Sequence, residues 1–341
     1  MSRWAMIAAL LLAACSGEPR LLEPRLQAVR TYGWPSTVVD PEPDWSPVDY
    51  RLLVRSQGGF ALLSEGTRQE QRFAAQDGRE SHHPRWLNRQ QFVFGPGWWV
   101  RRDADGRVLT PSEGITLVTL EDGRPVQRRV LSERGWRPQP WQGLILVEEA
   151  QRLLEIDAAG GVREFGEGFN PVPQPNGPGL FWRDTPAFDP DWWTGRDGVG
   201  QGWVRWRPGK VDALGDAVQA AWTHRGGLLI TVRRARAAPG QPWWAGGTDV
   251  YWVAGPGAQP ALARAHARDP AAHPTADLMA WTGEDNGVWI GTLRPDGWRE
   301  RIAEDGYRPR WSHDGRRLCW LQPPPPGSQL PTIRVTVLAE P

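Results

Sequence analysis

One phrase recurs along this chain: a proline, a tryptophan, a polar turn and then a short apolar run. It reads PDWSPVDYRLLV at Pro43 to Val54, PRWLNRQQFVF at Pro84 to Phe94 and PRWSHDGRRLCW at Pro309 to Trp320. A short repeated unit cannot bury an apolar face by itself, so successive copies must stack on one another. The first apolar residue after each turn serves as an anchor: Leu52, Phe92, Leu144, Leu180, Leu228, Leu278 and Leu318. The spacings are 40, 52, 36, 48, 50 and 40 residues. Their mean of about 44 is the length of a propeller blade.

The anchored runs, such as LLV, LILV and LCWL, are continuous rather than alternating. Such runs suit strands buried on both faces, and the reading places them at the centre of the ring. After each anchor comes an apolar strand, a turn and an Arg-rich strand, as in ITLVTLEDGRPVQRRVL and VWIGTLRPDGWRERI. Asp-Gly, Gly-Gly and Pro-Gly pairs sit at the tips, where hairpins need the positive φ that Gly adopts freely. Each repeat therefore reads as inner strand, loop, hairpin and outer strand. The fold class expected is all-β: one propeller of four-stranded antiparallel blades, seven by count. WWVRRDADGRVLT in the long second repeat is either a further hairpin or a sign of eight blades; six is the other alternative.

Val288 to Trp320, VWIGTLRPDGWRERIAEDGYRPRWSHDGRRLCW, resembles the WD40-like repeat of TolB-type β-propellers. That family's phrase is Pro, an aromatic, Ser-Pro-Asp-Gly and an apolar strand. WSHDG departs from it only at His313, WSPVDY keeps Ser46 and Pro47, and WLNRQQ keeps only the Trp and the turn. After the last anchor, TIRVTVL supplies one more clear strand. Residues 22–42 are expected to return and complete the last blade, which leaves the ring without a free edge.

The N-terminus reads as a processing signal. Arg3 supplies a positive region and Ala5 to Ala14 a short apolar run, too short to span a bilayer as a mature helix. It ends in Leu12-Ala13-Ala14-Cys15, which resembles the lipobox of bacterial lipoproteins. The resemblance implies a signal peptide over 1–14, a lipidated tether over 15–21 and a propeller over 22–341. Cys15 would carry acyl chains that hold the protein to a membrane. Ser16 at the sorting position implies the outer membrane, facing the periplasm. With Cys15 lipidated, Cys319 has no disulfide partner and reads as a small buried hydrophobe.

Composition narrows function further. The net charge of +1 and the absence of a basic patch leave no support for nucleic-acid binding. No G-x-S-x-G elbow, H-E-x-x-H, C-x-x-C or P-loop appears, and DADG at Asp103 to Gly106 lacks the later ligands of a calcium loop. No cofactor is expected, and the chain is expected to be monomeric. His82, His83, His224, His273 and His313 are all placed on one face near the channel mouth. His83 and His273 are the candidate metal ligands, set against a polar rim of Glu42, Gln139, Gln174 and Arg308. Trp is abundant at 22 residues. Three pairs, Trp98-Trp99, Trp192-Trp193 and Trp243-Trp244, fall in the longest connections and are assigned to the face opposite the histidines. They form the candidate recognition face, since long loops on a rigid scaffold carry binding and Trp anchors interfaces. Two functions follow. The first is a lipid-anchored envelope module that binds a protein or glycan; the second is a propeller lyase or hydrolase with a metal-assisted site on the histidine side.

Overall fold

The computed structural model describes residues 25–339, apart from 72–80, 97–100, 103–107, 110–113, 185–199 and the positions 58, 66, 150, 236, 239 and 240. Seven four-stranded antiparallel sheets follow one another around a ring. Blade 1 holds Asp44–Trp45, Leu52–Ser56, Gly59–Ser64 and Thr67–Gln71, from the channel outward. Blade 2 begins at Ser81–Trp86, blade 3 at Trp136–Trp141, blade 4 at Phe169–Pro173, blade 5 at Ala217–Trp222, blade 6 at Ala267–Ala272 and blade 7 at Tyr307–Trp311. These seven strands contact one another in order round the channel, and blade 1 meets blade 7.

The strand order corrects the sequence reading by one position. The innermost strands are the short segments that precede the anchored apolar runs, with a proline in or just before the strand in every blade but blade 5. The anchored runs are the second strands, and their continuity has a packing cause. In blade 1, Leu52 and Val54 join a cluster with Cys319, Leu321, Ile333 and Val335 of blade 7. Leu53 points the other way, into a cluster with Trp86, Phe92, Phe94 and Val118 of blade 2. Successive side chains alternate faces, and both faces here are covered by a neighbouring blade. Burial of each such side chain contributes roughly 1.5–3 kcal/mol.

Closure matches the expectation that the two ends meet. The strand Gln27–Pro35 pairs with Thr332–Ala339 as the outermost strand of blade 7, in register from Gln27 opposite Ala339 to Pro35 opposite Thr332. The hydroxyls of Thr31 and Thr336 lie 2.9 Å apart across this pair. In blade 2, Arg101–Arg102 pairs with Val108–Leu109 as a small two-stranded outgrowth, not an additional blade.

Antiparallel order fixes two faces. Turns between the innermost and second strands, and between the third and outermost, lie on one side (the turn face). Connections between the second and third strands, and from blade to blade, lie on the other (the loop face). His82 and His83 open the innermost strand of blade 2 and stand on the loop face. His224, His273 and His313 follow innermost strands and stand on the turn face. The histidines therefore divide between the faces, and the long connections share a face with His82 and His83 rather than opposing them. The cause is that Ser81–Trp86 is a strand, which carries the chain from one face to the other and sets His82 and His83 apart from the turn after Trp86; the long connections oppose His224, His273 and His313 as expected.

Candidate functional site

Six innermost strands carry the same local feature. Glu42, His83, Arg137, Asn170, Asp269 and Arg308 all have left-handed φ, between 46° and 53°. Each is followed by proline: Pro43, Pro84, Pro138, Pro171, Pro270 and Pro309. Five of the six sit at a register shift in their strand. Such an extra residue re-aims side chains, here at the mouth of the channel on the loop face. Blade 5 departs from the pattern with Val218-Gln219, and a β-branched Val is a poor occupant of positive φ.

The re-aimed side chains stitch blade to blade. Arg308 Nη1 donates to both carboxylate oxygens of Asp40, at 3.0 and 2.9 Å, and that charge raises the guanidinium pKa. Gln219 Oε1 accepts the backbone amide of Asp269 at 2.9 Å, while its side-chain amide donates to Asp269 Oδ1 at 2.6 Å. Glu148 accepts the backbone amide of Asn170 at 3.0 Å. Burial pushes the Glu148 carboxyl up, against the pull of Arg137, whose Nη1 stands 3.6 Å away. Between blades 1 and 2 the stitch is Glu42, whose Oε2 accepts the backbone amide of His83 at 2.6 Å.

Glu42 also gathers both histidines. Its Oε2 lies 2.8 Å from His83 Nδ1, and its Oε1 lies 3.5 Å from His82 Nδ1. One nitrogen of each imidazole and one Glu42 oxygen all fall within 4.8 Å of one another. Burial alone would raise the Glu42 carboxyl. The charge of His83 and hydrogen bonds from both imidazoles outweigh it and hold the group well below the usual carboxylate range. Burial pushes His83 down to about 4, although Glu42 pulls it up. The sequence places Glu42 on the polar rim and not among the candidate ligands. The signal that pairs it with His83 is the shared place before proline in adjacent repeats.

His273 belongs elsewhere. It is 7% exposed on the turn face of blade 6, four residues past the left-handed Asp269. Its Nδ1 accepts the backbone amides of Thr275 and Ala276 at 3.2 and 3.0 Å, and its ring stands edge-on to Trp311 at 4.7 Å. Gly315, with φ of 75°, runs against it, and a Cβ there would lie 1.9 Å from His273 Nε2. Every ring position is thus spoken for by blade packing. His83 and His273 form no common site. Gln139 lies in the innermost strand of blade 3, and Gln174 follows that of blade 4 as His273 follows that of blade 6, so the rim inferred from sequence mixes two levels of the channel.

The repeated tryptophans have a structural task. The indole N–H groups of Trp45, Trp222 and Trp311 donate to the carbonyls of Arg310, Val172 and Ala271, at 3.0, 2.8 and 3.0 Å. Each bond reaches the innermost strand of the preceding blade. Of the paired tryptophans, Trp243 is 4% exposed and Trp244 is half-buried, with their rings edge-on at 5.6 Å. The Arg268 guanidinium sits 5.0 Å above Trp244. This pair folds back beside blade 6, and Trp243 does not offer its ring to a partner. Trp98, Trp99, Trp192 and Trp193 lie outside the described residues, as does Cys15.

The loop face carries the long connections: 97–114 in blade 2, 184–201 in blade 4, 234–247 in blade 5 and 323–331 in blade 7. In blade 7 the Pro-rich stretch 324–330 is exposed throughout. The turn face has only short turns after the innermost strands, such as 142–143 in blade 3 and 312–316 in blade 7.

No protein-family model matches the sequence, and no curated protein is significantly similar to it. Solved structures do match in shape. The β-propeller domain of Cps50 (Swd1) from Myceliophteria thermophila covers 92% of this chain and 99% of its own, at 10% identity and a TM-score of 0.55. A chain of the mitotic checkpoint complex covers 91% and 94%, at 12% identity and a TM-score of 0.58. The Dos1 propeller covers 92% and 95%, at 11% identity and a TM-score of 0.56. At these identities the likeness is one of fold, and the fold is a β-propeller of seven blades.

Proposed function

We propose that the protein is a lipid-anchored scaffold of the bacterial cell envelope whose loop face captures a protein partner. The observation that carries this reading is the one-sided placement of the long connections. A ring with seven similar repeats has no folding reason to lengthen four connections on the same face. Long loops on a rigid support are where recognition resides. The described part of that display includes the exposed proline-rich stretch of blade 7, whose stiffness lowers the ordering cost of binding. One structural neighbour belongs to the mitotic checkpoint complex, an assembly of proteins, which is consistent with a scaffold. Trp98, Trp99, Trp192 and Trp193 are the proposed anchors, since Trp243 is committed to packing.

The envelope assignment rests on Leu12-Ala13-Ala14-Cys15, with Cys15 as the lipidated residue and Ser16 directing the protein to the outer membrane, facing the periplasm. The test is crosslinking and co-purification from native envelopes, comparing the wild type with Trp192→Ala/Trp193→Ala. The reading expects specific proteins to be lost from the variant while its unfolding transition is unchanged. Identical protein sets from both would sink the recognition face; loss of envelope polysaccharide alone would make the partner a glycan.

A further inference from the structure

We propose that Glu42, His82 and His83 form a binding site for one divalent transition-metal ion of the zinc class, at the channel mouth between blades 1 and 2. The donor set is two imidazole nitrogens and one carboxylate, with donor atoms within 4.8 Å of one another. Metal–ligand bonds of about 2.0–2.1 Å bring tetrahedral ligands to about 3.3 Å apart, so side-chain shifts of roughly an ångström close the shell. The Glu42 and His83 pair already stands at 2.8 Å and the Glu42 and His82 pair at 3.5 Å. All three side chains are 9–11% exposed, sheltered but within reach of the solvent at the mouth.

Blade stitching does not account for this cluster. Between blades 5 and 6 the same job is done by one neutral amide, Gln219, which satisfies both the backbone and the side chain of Asp269. Between blades 1 and 2, Glu42 alone completes the backbone bond to His83. Two imidazoles converging on that carboxylate exceed what the stitch requires. They also leave a cost: His83 Nε2 is buried without a hydrogen-bond partner. A buried imidazole nitrogen left in that state is a destabilising choice unless the ring serves another purpose.

The surroundings choose the kind of ion. Arg137 and Arg85 both act on His83, and their charge opposes any cation. An ion held only by charge and carbonyl-type oxygen, such as calcium or magnesium, is rejected there. An ion with a strong preference for imidazole nitrogen overcomes that field. The site is independent of the scaffold reading, and either stands if the other fails.

The experiment uses the full chain in detergent, stripped with a chelator, titrated calorimetrically with zinc at pH 7.5. One equivalent of zinc should bind and raise the thermal midpoint, and magnesium or calcium should not compete. Cobalt substituted for zinc should give the visible absorption of a nitrogen–oxygen site without a thiolate band. Glu42→Gln and His82→Asn should each weaken zinc binding by about 100-fold or more. His82→Asn keeps the Glu42 to His83 amide bond and guards against a folding defect. His266→Asn, at the exposed pair with Glu284, should leave binding unchanged. No zinc or cobalt uptake by the wild type would overturn the proposal. Uptake that survives both cluster substitutions, or is lost in His266→Asn, would also overturn it.

Discussion

The indole N–H of Trp311 donates to the carbonyl of Ala271 at 3.0 Å, so a side chain of blade 7 ends on the backbone of blade 6. In blades 1, 5 and 7 the Trp of the opening strand is therefore a blade-to-blade clasp. Trp311→Phe keeps most of the apolar contact and strands the carbonyl. It should lower stability by about 1 kcal/mol, whereas Trp311→Ala should cost about 3–5 kcal/mol. Urea unfolding followed by far-ultraviolet circular dichroism measures both. Equal losses would show that the hydrogen bond contributes nothing.

Leu53 is fully buried between blades 1 and 2. Leu53→Ala should destabilise the protein by about 2–5 kcal/mol through lost burial and the cavity left behind. The same substitution at exposed Val126 should change little. Thermal unfolding of the two variants side by side makes the comparison.

Much of the architecture is legible in the repeat, and what is not has a physical cause. The count of seven and the closure by both ends follow from the spacing of Leu52 to Leu318. The strand order does not, because the innermost strand of blade 1 is only the two residues Asp44–Trp45 and carries no apolar run. A search for apolar runs finds the second strand, which two neighbouring blades bury. Taking the segment around Trp86 for a turn and not a strand puts His82 and His83 on the wrong face, while the long connections do oppose His224, His273 and His313. The approach of Glu42 to His83, 41 residues apart, depends on the left-handed φ that both adopt before proline.

His273 gives the fold a pH dependence. Burial pushes its pKa down to about 4 from an ordinary value near 6.5. The unfolded chain then takes up a proton as pH falls below about 6.5 while the folded protein does not, so stability declines between pH 6.5 and 4. The decline from this residue should reach at most about 3 kcal/mol. His273→Asn should flatten that part of the curve of unfolding free energy against pH. An unchanged slope in the variant would remove His273 as its source.

Cys319 is fully buried, and burial pushes its thiol up to about 12. In a chain carrying Cys15→Ser it is the sole thiol. Labelling by a thiol reagent at pH 8 should be negligible in the folded protein and should follow the unfolding rate in denaturant. Rapid labelling without denaturant would mean that the contact between blades 7 and 1 opens readily.

The strand Gln27–Pro35 holds the last blade. A chain beginning at residue 37 would expose the edge of Thr332–Ala339, with Val335 and Val337 along it, to pairing with other copies. Size-exclusion chromatography should show oligomers and aggregates where the full chain runs as a single smaller species. A monodisperse truncated chain of unchanged melting temperature would show that closure needs no N-terminal strand.

The left-handed residue before each proline also separates two kinds of information. The backbone there asks only for a conformation, and glutamate, histidine, arginine, asparagine and aspartate all meet the request. The channel mouth is thus a ring of addresses whose chemical content can be rewritten one blade at a time, with the carpentry of the ring left as it was.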